Sequence, residues 1–298
     1  LIYLFSKGVL LLGVERSTRL AERLGRWSYW LKGRERNRTL ANLEKAFGDR
    51  FTLQERREIA QAVFSNAAIT AVETVWMSRW RELSEWLTIE VVGEENLKEA
   101  FSRGKGVICF GGHLGSWEVQ IAAMAQKGYQ GYLIVRELKD PRLEKWVQEV
   151  RLNCGVPTLR RGRTPFRMIR TLKEGKALAL VIDLDTRSGR GTFVEFFGRP
   201  AYTPTGAFEL ARMTGASLVP SICYRESLNR LRLVIGEPWV IDSTEDAEKD
   251  IQEATQRATR YLEEKISERP EQWMWFHNRW KTQPDHFEKK KRPSADDL

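Results

Sequence analysis

His113 and Glu118 stand five positions apart in the run Gly111-Gly112-His113-Leu114-Gly115-Ser116-Trp117-Glu118. The protein has three histidines in 298 residues, and this one follows a short apolar run, Val107-Ile108-Cys109-Phe110. An imidazole near its ordinary pKa of about 6.5 can take a proton from a hydroxyl group. A carboxylate on the other ring nitrogen fixes the tautomer and stabilises the imidazolium that forms. The spacing lets Glu118 return onto the ring in that role. No serine or cysteine nucleophile is needed if the acceptor substrate brings its own hydroxyl. Gly111, Gly112 and Gly115 let the backbone approach a ligand closely and leave amides for an oxyanion. On spacing alone two other readings stay open: the pair caps a helix, or His113 binds a metal. The other histidines, His277 and His286, lie far off in sequence without a ligand cluster, so no metal is expected.

These groups need elements to hold them. Residues 107–110 read as a buried strand and 117–127 as a helix stopped by Gly128. The pair therefore sits where a strand runs into a helix, the place where open α/β sheets bind ligands. Further strands are expected over 131–135, 177–182, 217–222 and 231–235, alternating with helices over 141–153, 164–173 and 204–213. That alternation predicts an α/β fold, a mixed central sheet flanked by helices. Upstream, Ile59, Val63, Ala67, Ala71 and Val75 recur every four residues, with Thr52 and Glu55 as a capping box for a helix over 53–78. A short helix ends near Arg103-Gly104. A last long helix over 246–267 buries the stripe Ile251, Ala254, Ala258, Leu262 and Ile266.

Composition narrows the partners. The chain is 42% hydrophobic, enough for a sizeable core, and carries a net charge of +9. Nucleic acid, anionic lipid and acidic protein would all be attracted. No helix-turn-helix or finger spacing appears, so nucleic acid is not expected. Cys109, Cys154 and Cys223 are sparse and odd in number, against a disulfide scaffold or a zinc site and in favour of a reducing compartment. Residues 1–14 are apolar apart from Ser6 and Lys7. As a helix they would span about 21 Å against a bilayer core of roughly 30 Å. They are expected to be an apolar membrane anchor or a truncated transmembrane helix. The chain opens on Leu1 rather than Met, which leaves room for residues upstream, and no small-residue cleavage site argues for a signal peptide. The stretch 15–42 is dense in arginine, with Leu20, Leu24, Trp27 and Leu31 at helical spacing. It reads as one or two amphipathic helices with a basic face, suited to an anionic membrane surface. Residues 15–285 are expected to form one catalytic domain, helical and basic over 15–104 and α/β over 105–285. The tail 286–298, with Lys289-Lys290-Lys291-Arg292, is expected to be disordered.

Taken with its flanking blocks, the motif resembles the bacterial lipid A biosynthesis acyltransferases, within the wider lysophospholipid acyltransferase-like group. The resemblance rests first on Gly112-His113-Leu114-Gly115-Ser116-Trp117-Glu118. It continues through Arg136, Asp140-Pro141, Leu143, Arg151 and Gly155, then Asp183-Leu184-Asp185 and Gly191-Thr192-Phe193-Val194-Glu195-Phe196-Phe197-Gly198. Thr205-Gly206, Leu210-Ala211-Arg212 and the closing run Pro270-Glu271-Gln272-Trp273-Met274-Trp275-Phe276-His277-Asn278-Arg279-Trp280-Lys281 complete it. Leu114, Ser116 and Glu195 depart from the family's usual residues. The resemblance implies a lysophospholipid acyltransferase-like fold with N-terminal membrane-associated helices, at the cytoplasmic face of the inner membrane.

It also implies a reaction without a cofactor. The hydroxyl of a membrane glycolipid attacks an acyl thioester on acyl carrier protein or acyl-CoA. His113 is the base and Glu118 its orienting acid. Arg136 and Arg151 are candidates for holding phosphate or headgroup. Arg187 and Arg190 are candidates for clamping phosphates or the carrier's arm, on what reads as a flexible glycine loop. The turn Arg160-Arg161-Gly162-Arg163 is a further basic candidate. Asp183 and Asp185 are expected to support Arg187 or the histidine site, and Phe193, Phe196 and Phe197 to line an acyl-chain path. His277 is expected to be structural, among Trp275 and Arg279. Two alternatives remain: a phosphatidylinositol mannoside-type acyltransferase using acyl-CoA, and a non-catalytic membrane or nucleic-acid binding protein.

Overall fold

Alternation along short strands decides which apolar layer each side chain joins. In the computed structural model, which describes residues 2–161, 164–186 and 191–285, Ile108 and Phe110 enter one layer and Val107 and Cys109 the other. A strand apolar on both faces belongs in the middle of a sheet covered on both sides. The described chain begins with α1 (Ile2–Leu12), α2 (Val14–Leu31) and α3 (Gly33–Phe47), then α4 (Leu53–Trp76) and α5 (Trp80–Trp86). β1 (Thr88–Val92) and α6 (Glu94–Ser102) lead into β2 (Val107–Gly111), α7 (Trp117–Gln126), β3 (Gly131–Val135) and α8 (Pro141–Asn153). β4 (Thr158–Arg160), α9 (Pro165–Lys173) and β5 (Ala177–Val181) follow. The chain continues through β6 (Gly191–Phe196), β7 (Arg199–Pro204), α10 (Gly206–Thr214), β8 (Ser217–Ser227), β9 (Arg230–Ile235) and α11 (Ala247–Glu268).

Seven strands form one sheet in the order β1-β9-β8-β2-β5-β3-β4. From β8 to β4 all neighbours are parallel; β9 runs antiparallel to β8, and β1 is parallel to β9. The loops that leave β2, β3, β4 and β5 therefore emerge on one edge of the sheet. β6 and β7 form a separate antiparallel hairpin. The helices start on local chemistry. Thr52 accepts from the Glu55 amide and Glu55 accepts from the Thr52 amide at 2.7 Å, so α4 opens on a capping box. Asp140 caps α8 ahead of Pro141, and Asp246 caps α11. Ala254, Ala258, Leu262 and Ile266 of α11 are buried against the sheet layer that holds Ile108 and Phe110.

Two expectations are corrected. The apolar start is broken at Gly13, after an 11-residue helix about 16 Å long at about 1.5 Å per residue. Among the described residues no helix is long and apolar enough to cross a membrane. The described residues form a mixed sheet flanked by helices, and none of those helices spans a membrane, against the expectation of a truncated transmembrane helix. Instead α2 packs along α4, and its Tyr29 meets Phe64 edge-on within the core. The second concerns 191–198, for which no strand was expected. It opens the β6–β7 hairpin, because Thr192 to Phe196 pair with Arg199 to Thr203 across a turn that Gly198 closes at φ +66°.

Candidate active site

Strand register assembles the site. β2 and β5 pair in parallel with Gly111 opposite Val181, and the Ile182 amide donates to the Gly111 carbonyl at 3.0 Å. Two residues further along each strand stand His113 and Asp183. His113 Nδ1 lies 2.9 Å from Asp183 Oδ1, and the His113 amide donates to Oδ2 at 2.6 Å. Trp273 Nε1 donates to the same Oδ2 at 2.8 Å. An ionised carboxylate only accepts, so Nδ1 carries the proton and Nε2 is left unprotonated in the neutral ring. The imidazole side chain is 18% exposed, whereas that of Asp183 is sealed at 0%. Burial works against the imidazolium, but the charge and hydrogen bond of Asp183, then the charge of Glu118, outweigh it and raise the His113 pKa above 6.5. Burial alone would raise Asp183; the histidine and its other donors hold it well below the usual carboxylate range.

The approach leaves no room for side chains. A Cβ on Gly112 would sit 3.0 Å from Asp183 Oδ2. One on Gly115, at φ +61°, would sit 2.0 Å from the Cys223 carbonyl oxygen. The loop amides are largely engaged: that of Gly115 donates to the Gln272 carbonyl at 3.0 Å and that of Ser116 to the Cys223 carbonyl at 2.9 Å. At Gly115 the close backbone approach thus serves the loop's own packing rather than an oxyanion.

Glu118 is not the carboxylate on the ring. It takes a two-pronged bond from Arg151, Nε to Oε2 at 3.0 Å and a terminal nitrogen to Oε1 at 2.5 Å. The reason is positional. Glu118 lies in the first turn of α7 on the side that meets α8, whereas Asp183 is carried to His113 by the strand pairing. Arg151 is likewise occupied, only 15% exposed, and braces Glu118 instead of reaching out for a headgroup. Arg136 is exposed at the end of β3. It lies near enough to Arg161 that, after burial, its charge helps lower the Arg161 pKa. Arg161 donates to Thr186 Oγ1 at 3.1 Å, and Arg160 pairs with Glu137 at 3.4 Å. Arg187 and Arg190, with Gly162 and Arg163 of the basic turn, lie outside the described residues, as does the tail 286–298.

The remaining candidates are placed elsewhere. Asp185 accepts from the amide and hydroxyl of Thr282 at 2.9 and 3.0 Å and so ties down the C-terminal segment. Phe196 is buried with its ring centre 5.7 Å from those of Trp273 and Trp280; Phe197 packs on Phe47 and Trp275, and Phe193 on Tyr202. Phe196 and Phe197 thus pack into the aromatic core, while Phe193 rests on Tyr202.

Sequence reasoning missed three things. It gave Asp183 only a supporting part, and the signal that could have promoted it, an acid just past a central strand, is weak without the register. It missed a buried brace: Arg225 donates to both oxygens of Glu73, at 2.5 and 2.8 Å, and Ser116 Oγ donates to Glu73 at 2.5 Å. A lone carboxylate among Val72, Val75 and Trp76 of α4 was the clue. It also missed that His277 faces the site, its ring centre 5.2 Å from that of His113. Burial and the His113 charge push the His277 pKa down to about 4, so it stays neutral. Among the described residues no cluster of three or more His, Cys, Asp or Glu side chains could hold a metal ion. The arrangement is that of an imidazole held by a buried carboxylate, which can act chemically as a general base.

The sequence model of the family described as bacterial lipid A biosynthesis acyltransferase matches residues 1–282. The lipid A biosynthesis lauroyltransferase of Escherichia coli (strain K12) is 30% identical over 251 residues, 82% of this chain and 78% of that protein. The palmitoleoyltransferase of the same organism is 26% identical over 249 residues, with the same shares of each chain. A phosphatidylinositol mannoside acyltransferase of Mycobacterium tuberculosis (strain CDC 1551 / Oshkosh) is 26% identical over 208 residues, 67% of this chain and 62% of that one. The chain therefore belongs to the bacterial lipid A biosynthesis acyltransferase family and is an acyltransferase that transfers an acyl group onto a lipid A or glycolipid-type substrate.

Proposed function

We propose that His113 Nε2 removes the proton from a hydroxyl of a lipid A precursor as that oxygen attacks an acyl thioester. The new C–O ester bond forms, the C–S bond breaks, and the proton held on Nε2 passes to the departing thiolate. Asp183 fixes the tautomer and stabilises the imidazolium. Glu118, clasped by Arg151, adds negative charge to the site and holds α7 against α8. The single observation that carries this reading is the contact of Asp183 with Nδ1, which leaves Nε2 as the bare base. Arg136 and Arg161, at the sheet edge where His113 stands, are suited to a phosphate of the acceptor or of the donor's arm. The donor is acyl carrier protein, an acidic partner for a protein of net charge +9, or acyl-CoA.

The enzyme works at an anionic membrane surface that it touches from outside the apolar core. On α2, Trp27 and Trp30 are 59% and 63% exposed beside Arg23 and Arg26. Such rings suit the bilayer interface. A second acceptor class, phosphatidylinositol mannosides, is kept because a relative that acylates one matches two thirds of the chain. The deciding experiment crosses both donors with both acceptors and reads ester formation by mass spectrometry. His113→Ala is expected to lower turnover roughly 10²- to 10⁴-fold. Turnover that survives this substitution would remove His113 as the base.

A further inference from the structure

Residues 273–277 run alongside the loop that carries His113. Leu114 and Trp273 face each other across an antiparallel bridge. The Met274 amide donates to the His113 carbonyl at 3.2 Å, and the His277 amide donates to the Met274 carbonyl at 3.1 Å. Asn42 of α3 clasps the same segment, its Nδ2 donating to the carbonyls of Trp275 at 2.7 Å and His277 at 2.9 Å. The His277 backbone is thus tied to the loop on one side and to α3 on the other. Its ring stands 5.2 Å from the His113 imidazole, centre to centre, with the two planes at 52°.

Most donors around that imidazole are already spent. The amides of His113, Gly115 and Ser116 are bonded within the protein. The indoles of Trp273 and Trp275 donate to Asp183 and to the Pro270 carbonyl. His277 differs. Its Nε2 is buried, and among the described residues it has no hydrogen-bond partner. A buried polar atom left unpaired is unfavourable and uncommon, so the fold keeps this one at a cost to its stability. Burial first, then the charge of His113, outweigh Asp183 and hold the ring neutral, its pKa pushed down to about 4. A neutral imidazole still carries one N–H. It can donate a hydrogen bond without competing for the proton that His113 removes.

We propose that His277 is a further catalytic residue, whose ring N–H donates to the acyl oxygen as that oxygen turns negative. The inference rests on the reading of His113 as the base. With the acceptor's hydroxyl on Nε2, the attacked carbonyl stands one oxygen atom beyond it, and the neighbouring ring can reach the oxygen it carries. As the acceptor's oxygen bonds to the acyl carbon, the π pair of the C=O bond moves onto the acyl oxygen, where the His277 N–H meets it. The pair then returns, the C–S bond breaks, and the thiolate takes the proton held by His113. His277 gives up no proton at any step. A donor aimed at developing charge speeds the chemical step more than it tightens binding of the ground state.

Two variants separate the donor from the packing. His277→Phe keeps a flat ring without an N–H, and His277→Gln keeps an N–H donor. H277F is expected to lower kcat roughly 10²- to 10³-fold while KM moves by less than about threefold. H277Q should recover to within roughly tenfold of the parent. The melting temperature of H277F should hold or rise, because the substitution removes an unpaired buried nitrogen. Unchanged kcat in H277F would overturn the proposal. So would an H277Q enzyme as slow as H277F, or a loss of rate that tracks a falling melting temperature in both variants. The unmodified enzyme gives a second test. It holds three histidines, so isotope-labelled imidazoles can be followed by NMR. A long-chain alkylphosphonate monoester of the glycolipid acceptor, a stable anionic mimic of the tetrahedral intermediate, should shift the His277 N–H signal. A signal left unmoved at saturation would refute the donor. H113A tests the base separately: turnover kept in H113A removes the base, whereas turnover kept in H277F removes the oxyanion donor alone.

Discussion

Asp183 is buried and paired through both oxygens, to a ring nitrogen, a backbone amide and an indole. Its substitution should therefore read out as chemistry. Asp183→Asn is expected to lower kcat/KM roughly 10²- to 10⁴-fold. It should also move the acid limb of the pH profile. With His113 as the proposed base, activity of the parent should rise as it loses its proton, through a pKa raised because the carboxylates outweigh burial. Without the Asp183 charge burial prevails, so the limb should shift to lower pH; an unmoved limb in kcat/KM would contradict the pairing. Glu118 belongs to a different balance. Glu118→Ala leaves the Arg151 guanidinium mostly buried without its acid, which costs roughly 3–5 kcal/mol in comparable buried pairs. A clear fall in melting temperature together with a fall in rate is expected, and a variant of unchanged melting temperature would contradict the buried pair. The spacing of His113 and Glu118 was legible because it is local. The choice of carboxylate was not, because Asp183 is 70 positions away.

At the scale of elements, the loop that carries His113 is held from three sides: by the β2–β5 register, by the Gln272 and Met274 backbone, and by α4 through Glu73. Glu73→Gln is expected to destabilise the protein by roughly 3–5 kcal/mol, because Arg225 loses its counter-charge while both sites stay buried. Ser116→Ala removes one hydrogen bond and leaves the ion pair, so about 1 kcal/mol is expected. Thermal denaturation of the two variants checks the order, and equal losses would mean that the brace is not centred on Glu73. Helices with their own caps, such as α4, α8 and α11, were legible to within a few residues. β1, β4 and the β6–β7 hairpin were not. Each is short, and each is defined by a partner strand rather than by its own periodicity.

Across the whole molecule, charge and exposed aromatics point in the same direction. The net charge of +9 and the bare Trp27 and Trp30 suit a reversible contact with anionic lipid. Replacing both tryptophans with alanine should weaken co-sedimentation with anionic vesicles, and raised salt should weaken it further as the Debye length shortens. Binding indifferent to both would place the contact elsewhere. The apolar first residues form the short helix α1, which ends at Gly13, and α2 beyond it packs along α4. What the sequence determined by itself was everything carried by near neighbours: the alternation of strand and helix, the caps, the glycine-rich turn with its histidine, and the family. Tertiary structure decided which acid touches that histidine, which arginine is spent on Glu118, and that the His277 ring stands beside that of His113. Those outcomes depend on strand register and on the packing of distant segments, and no run of neighbouring residues encodes either.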